Sequence, residues 1–282
     1  MPEGGVLAGF DAKKRRVDFI DGADGVRIAF RQWGGFSRET LVFIHGLGAD
    51  QTQFEDDAAY FAAQGFSCLT VDLRGHGVSS RPQPFAKENL TLEKMAADVR
   101  RVLSHAGVGK THLVGNSMGG LAALALAGGD NADRTASLTT FGTTYQLNFP
   151  IGVPAVQRLA YRVMGRARFI ESIAKNATGH EHARAVIREM YAGYSPELNF
   201  LITQNIRKYD FRARALAFDG PVLIMRADGD KAINQHLGST LHSLNAKPDF
   251  HLEELEGAGH FANLDQPEAF RETLLGFLRR TR

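Results

Sequence analysis

The sequence has a single cysteine, Cys68, among 282 residues, so no internal disulfide can form and no thiol cage can hold a metal. Cys68 lies in the apolar run 66–71, where a buried strand residue is the expected role. Long hydrophobic runs are missing too, and nothing approaches the ~18 apolar residues of a membrane span. The apolar patch at 6–10 is too short for the core of a secretion signal, which makes the cytoplasm the expected compartment. An excess of one charge is also lacking. Lys and Arg number 33 against 31 Asp and Glu, a net charge of +2, too small and too dispersed for a nucleic-acid footprint. A small, mostly uncharged substrate is the expected partner. The chain has no internal repeat and no low-complexity tract.

What is present is a change of hydrophobic period along the chain. Two alternating segments, Val17-Asp18-Phe19-Ile20 and Val26-Arg27-Ile28-Ala29-Phe30, flank a turn-rich stretch and read as an opening antiparallel hairpin. Short continuous apolar runs follow at 41–44, 68–71 and 112–114, separated by helix-length amphipathic sequence. That alternation predicts an α/β fold, a mostly parallel doubly wound sheet with crossover helices. Further runs at 137–141, 222–225 and 250–252 extend the sheet, and 267–279 reads as a closing helix with Pro267 in its first turn. Between 145 and 209 no buried-strand run occurs. Helical patterns at 156–164, 167–174, 182–191 and 198–207 are broken there by Gly165, Gly179, Gly193 and Pro196. The expected organisation is a core formed by 1–144 and 210–282, with a helical cap inserted at 145–209 over the strand ends.

The strongest chemical motif is Gly115-Asn116-Ser117-Met118-Gly119-Gly120, placed between the apolar run 112–114 and the Ala/Leu-rich helix 121–127. A sharp strand-to-helix turn can lift a serine side chain above the sheet, provided the positions two before and two after it are small. Gly115 and Gly119 meet that requirement. The same turn sets the Met118 amide at a helix N-terminus, where a developing negative charge is favoured. A serine at its free pKa is a poor nucleophile and needs an imidazole to take its proton. His260, in the glycine-flanked loop Gly257-Ala258-Gly259-His260-Phe261, is the candidate among ten histidines. The orienting carboxylate should follow the run 222–225, where Asp230 is the first choice and Asp228 the alternative. After the run 41–44 comes His45-Gly46-Leu47-Gly48, whose Leu47 amide is the candidate second oxyanion donor across from Met118. His45 is expected to organise that loop. His180-Glu181-His182 does not put two imidazoles on one helix face, and neither a metal nor a cofactor is expected.

With these residues in hand, the sequence resembles the α/β-hydrolase family along nearly its whole length. The resemblance is carried by His45-Gly46-Leu47-Gly48, Asp72-Leu73-Arg74-Gly75-His76-Gly77-Val78-Ser79, the elbow at Ser117, Pro221-Val222-Leu223-Ile224 with Asp230, and Gly259-His260-Phe261. The chain order Ser, Asp, His also matches. It implies a serine hydrolase acting on a small, largely apolar ester or lactone through an acyl-enzyme, with Asp72 to Ser79 structural. The elbow is similar to that of hydrolases cleaving carbon–carbon bonds in diketo acids, although Phe261 stands where those carry Trp. Such enzymes use a cap arginine, for which Arg188 and Arg207 are available. A ligand-binding receptor on the same fold is the non-enzymatic alternative. Phe54, Phe141, Tyr145, Phe149, Tyr161, Phe169 and Tyr191 are the aromatics expected near an apolar pocket.

Overall fold

The computed structural model describes residues 16–35, 39–128 and 132–281; the apolar patch at 6–10 lies outside them. Strands β1 (Asp18–Asp21) and β2 (Arg27–Trp33) form the antiparallel hairpin, and β3 (Glu39–Ile44) opens the parallel part. Helix α1 (Glu55–Ala63), β4 (Ser67–Val71), α2 (Leu92–His105), β5 (Lys110–Asn116), α3 (Met118–Ala127) and β6 (Thr135–Phe141) then alternate. A two-stranded ribbon, β7 (Gln146–Asn148) with β8 (Lys208–Asp210), brackets four helices: α4 (Val153–Met164), α5 (Arg166–Ala177), α6 (Glu181–Met190) and α7 (Pro196–Ile206). The chain closes with α8 (Arg212–Ala217), β9 (Val222–Ala227), α9 (Lys231–Leu244), β10 (Phe250–Leu255), α10 (Ala262–Asp265) and α11 (Pro267–Arg280). The main sheet has eight strands in the order β1-β2-β4-β3-β5-β6-β9-β10, parallel from β4 through β10 and antiparallel at the β1–β2–β4 edge.

Strand pleating explains why the central runs are apolar at every position. Leu41 and Phe43 face one side of β3 and pack with Phe54, Phe61, Phe141 and Phe270, while Val42 and Ile44 face the other and pack with Leu113, Met95 and Val99. Each fully buried side chain of this size stabilises the fold by about 1.5–3 kcal/mol. Cys68 is fully buried in this core, and burial pushes its thiol well above the usual range. Phe54, Phe141 and Tyr145 are fully buried core residues as well, so these three do not face an open pocket. The ribbon β7–β8 carries no apolar run because it is three residues long and half exposed, and it left no signal in the sequence.

Candidate active site

The elbow joins β5 to α3 with Ser117 at φ 54°, ψ −120°. This is a region an L side chain avoids, at a cost of about 1–3 kcal/mol, and the surrounding bonds hold it there. The Ser117 amide donates to the Phe141 carbonyl at 3.0 Å, and the Ser117 carbonyl accepts from the Gly120 amide at 3.0 Å and the Thr143 hydroxyl at 3.2 Å. Both elbow glycines are sterically compelled. A Cβ at Gly119 would lie 2.1 Å from the Ile44 carbonyl oxygen, and one at Gly115 would lie 2.5 Å from the Gly120 backbone.

His260 is brought to the same end of the sheet by the loop between β10 and α10. Its Nδ1 donates to Asp230 Oδ2 at 2.8 Å. Asp230 is 5% exposed and caps α9 by accepting from the Ile233 amide at 3.3 Å, which fixes the carboxylate from a second direction. Asp228 is exposed and its side chain takes no part, which separates the two carboxylates offered by the sequence. Asn116, which the motif reading passed over, links the two loops. Its Nδ2 donates to the Phe141 carbonyl at 3.2 Å and to the His260 carbonyl at 3.0 Å. Gly142 sits against the imidazole, and a Cβ there would come within 3.0 Å of the ring. Among the described residues no hydrogen bond joins the Ser117 hydroxyl to His260. In active sites without substrate such contacts are often long and shorten once substrate binds.

Ser117 is half-buried and lines a cavity of about 160 Å³ together with Leu47, Met118, Leu121, Gly142, Thr143, Leu147, Phe149, Gln157, Thr203, Ile206, Tyr209 and Ile233. Met118 is the first residue of α3, so its amide has no partner inside the helix. The lining contains no ionic side chain. Phe149 is the one member of the expected aromatic set that reaches it, joined by Tyr209, which the sequence did not single out. A larger hollow of about 310 Å³ lies beyond Gly48, between residues 75–78 and 189–199, and holds neither Ser117 nor His260.

The loops around this site are fixed by buried polar contacts. His45 accepts from the Leu73 amide at 3.0 Å through Nε2 and donates from Nδ1 to the Gly46 carbonyl at 2.8 Å, and burial lowers its pKa. Arg74 is fully buried and makes a two-pronged pair with Asp98 at 2.6 and 2.8 Å. Asp72 accepts from the Gln51 and Val78 amides at 2.7 and 3.0 Å. All three therefore spend their polar atoms on the scaffold.

The inserted helices grip both loops of the site. Tyr191 donates to the Leu47 carbonyl at 2.8 Å, and its ring packs on Gly48. At the α5–α6 junction, Ala177 accepts from the His260 amide at 2.8 Å, while His180 and His182 donate to the carbonyls of Gly257 and Leu264 at 2.7 and 2.8 Å. Thr178 donates to Asp265, whose other oxygen accepts from the Gly259 amide at 2.6 Å. Burial raises the Asp265 pKa against the opposing pull of those bonds. His180 and His182 are thus anchored donors. Arg188 is held by Glu171 at 2.7 Å and Glu181 at 2.9 Å, and neither it nor Arg207 lines the cavity.

A mostly parallel sheet with a strained serine at a strand-to-helix turn, and a paired imidazole and carboxylate beside it, defines a hydrolase fold. Residues 41–273 match the alpha/beta hydrolase family, and the chain belongs to it. It is 27% identical to the 2-hydroxy-6-oxononadienedioate/2-hydroxy-6-oxononatrienedioate hydrolase of Burkholderia vietnamiensis, over 95% of this chain and 96% of that one. It is 25% identical to 3-oxoadipate enol-lactonase 1 of Acinetobacter baylyi, over 92% and 96%. The fold is shared with the crystal structure of the enol-lactonase from Burkholderia xenovorans, at TM-score 0.81 and 23% identity, covering 93% of this chain and 100% of that one.

Proposed function

We propose that this hydrolase cleaves a small, uncharged carboxylic ester or lactone through an acyl-enzyme on Ser117. The observation that carries the reading is the 2.8 Å bond between His260 and the buried Asp230, set beside a serine held at positive φ. In this mechanism His260 takes the Ser117 proton as the hydroxyl attacks the carbonyl, then delivers it to the leaving alcohol. Asp230 fixes the imidazole with Nε2 toward the serine and stabilises the imidazolium that forms. The Leu47 and Met118 amides hold the oxyanion. Water activated by the same imidazole then releases the acid and restores the hydroxyl. Residues 145–209 act as a cap whose Leu147, Phe149, Gln157, Thr203, Ile206 and Tyr209 close the substrate cavity.

The Burkholderia vietnamiensis relative supports a second reading, carbon–carbon hydrolysis of a diketo acid. A cavity without a cationic side chain weighs against it, because a buried substrate carboxylate would stay unpaired. Ser117→Ala lowers kcat on p-nitrophenyl acetate by about a thousandfold or more with the fold intact. Undiminished turnover by that variant would remove Ser117 from the reaction. A wild-type enzyme that turned over a vinylogous diketo acid faster than simple esters would replace the first reading with the second.

A further inference from the structure

Nine large apolar side chains are exposed among the described residues, and five of them fall between 151 and 164: Ile151, Val156, Leu159, Val163 and Met164. Ile151 is 81% and Val163 76% exposed. Val156, Leu159 and Val163 recur at three- and four-residue spacing and so share one face of α4. Helices α5 and α7 pack against α4 and leave that face uncovered. Within residues 152–170 the charge is of one sign. Arg158, Arg162, Arg166 and Arg168 are all exposed, and residues 152–170 contain no Asp or Glu. Among the described residues none of these four is in an ion pair, whereas Arg184 and Arg188 on α6 are paired with glutamates.

We infer that α4 and its flanking turns form a docking surface for an anionic phospholipid bilayer. Apolar side chains on one helix face, bordered by arginines in no ion pair, of which Arg158 stacks over the Phe200 ring at 5.0 Å, match the boundary where acyl chains meet phosphates. A second copy of the chain fits the surface poorly, because a two-fold contact would set the arginine cluster against itself without a compensating acid. Attachment is peripheral, since among the described residues no helix is long and apolar enough to cross a membrane. The docked face adjoins the Ser117 cavity. Gln157, between Val156 and Arg158, lines that cavity, and Phe149 in its wall lies two residues before Ile151. Docking therefore brings the cavity rim to the surface where uncharged lipophilic esters concentrate. The docking itself does not depend on the hydrolytic reading.

The test is co-sedimentation of the full chain with vesicles of phosphatidylcholine alone and of phosphatidylcholine mixed with phosphatidylglycerol, at low and high salt. The wild type is expected to pellet with the mixed vesicles, to remain in solution with phosphatidylcholine alone, and to be released by salt. Arg162→Glu with Arg166→Glu should lower partitioning at least about twentyfold, from about fivefold per arginine. Leu159→Ser with Val163→Ser should lower it about tenfold or more. All four positions are exposed, and unchanged melting temperatures would show that folding is intact. A wild type that stays in solution with both vesicles overturns the inference, as does binding by both double variants equal to that of the wild type. A dimer seen by light scattering that dissociates in Leu159→Ser with Val163→Ser, without vesicle binding, would assign the face to a second copy.

Discussion

The elbow and the inserted helices are built by different kinds of constraint. Around Ser117 the backbone itself is crowded: Gly115, Gly119 and Gly120 lie where an added Cβ would strike backbone or the Thr143 side chain within 2.6 Å. In the insertion, Gly152, Gly179 and Gly193 have nothing within 4 Å of the same position, and Gly165 is equally open although its φ of 73° favours glycine. There, shape comes from side-chain ties, such as Tyr191 to the Leu47 loop and Thr178 to Asp265, and from charge pairs at the surface. Close backbone packing dictates residue type position by position. Side-chain ties can be made by many residue types, so they leave a weaker mark in the sequence.

Alanine at paired glycines would break or sharpen this contrast most. Gly119→Ala forces the Ile44 and His45 carbonyls away from α3, and we expect a loss of about 4 kcal/mol or more, or failure to fold. Gly179→Ala should change stability by less than about 0.5 kcal/mol. Urea unfolding of both variants checks the pair. Near-equal effects would mean that the elbow relaxes and is not sterically fixed.

The same difference explains what could be read before the fold was known. The parallel sheet was legible because strands buried on both faces must be apolar throughout, as at 41–44 and 222–225. The elbow was legible because only glycine fits at 115 and 119. The four inserted helices were legible from their breakers; each begins one to three residues before its expected start, α5 runs three residues past its expected end, and α6 and α7 stop one residue short of theirs. Asn116 was not legible, since an amide bridging two carbonyls on loops far apart in sequence has no local pattern. Nor were His180 and His182 legible as anchors, because a histidine donating to a distant carbonyl looks in sequence like one facing solvent. The choice of Asp230 over Asp228 needed the helix α9, whose first turn holds the carboxylate.

A second test of the contrast uses pH. The core buries titratable groups, whereas the insertion keeps Glu171, Glu181 and Arg188 near water. Burial lowers the His76 pKa from 6.5 to about 3. Between those values the unfolded chain binds a proton that the folded chain refuses, so this histidine makes stability fall as pH falls. From pH 6.5 to 5 the loss amounts to about 1.6 kcal/mol. Asp57, raised to about 6 by burial against the opposing pull of Arg271 and Asn263, contributes the opposite slope from about pH 4 to 6. The difference between wild type and His76→Gln is therefore the informative quantity. It should shrink steadily as urea melts move from pH 6.5 to 5, and a constant difference would show that His76 does not titrate as its burial requires.

The third test falls where the two regions meet. Thr178, on the insertion, donates to Asp265, and Asp265 in turn holds the Gly259 amide next to His260. Thr178→Val keeps the side-chain volume but leaves one buried carboxylate oxygen without its donor, at a cost of about 1.5 kcal/mol. If the insertion positions the imidazole, kcat should fall about tenfold with KM nearly unchanged, since a shifted base weakens proton transfer more than substrate binding. Thr178→Ser, which restores the hydroxyl, should recover most of the rate. The ratio of kcat to stability loss is what separates the possibilities. A Thr178→Val enzyme that is less stable but equally fast would mean the His260 loop holds its geometry without the insertion, with Asn116 and Asp230 sufficient to fix it from the core side.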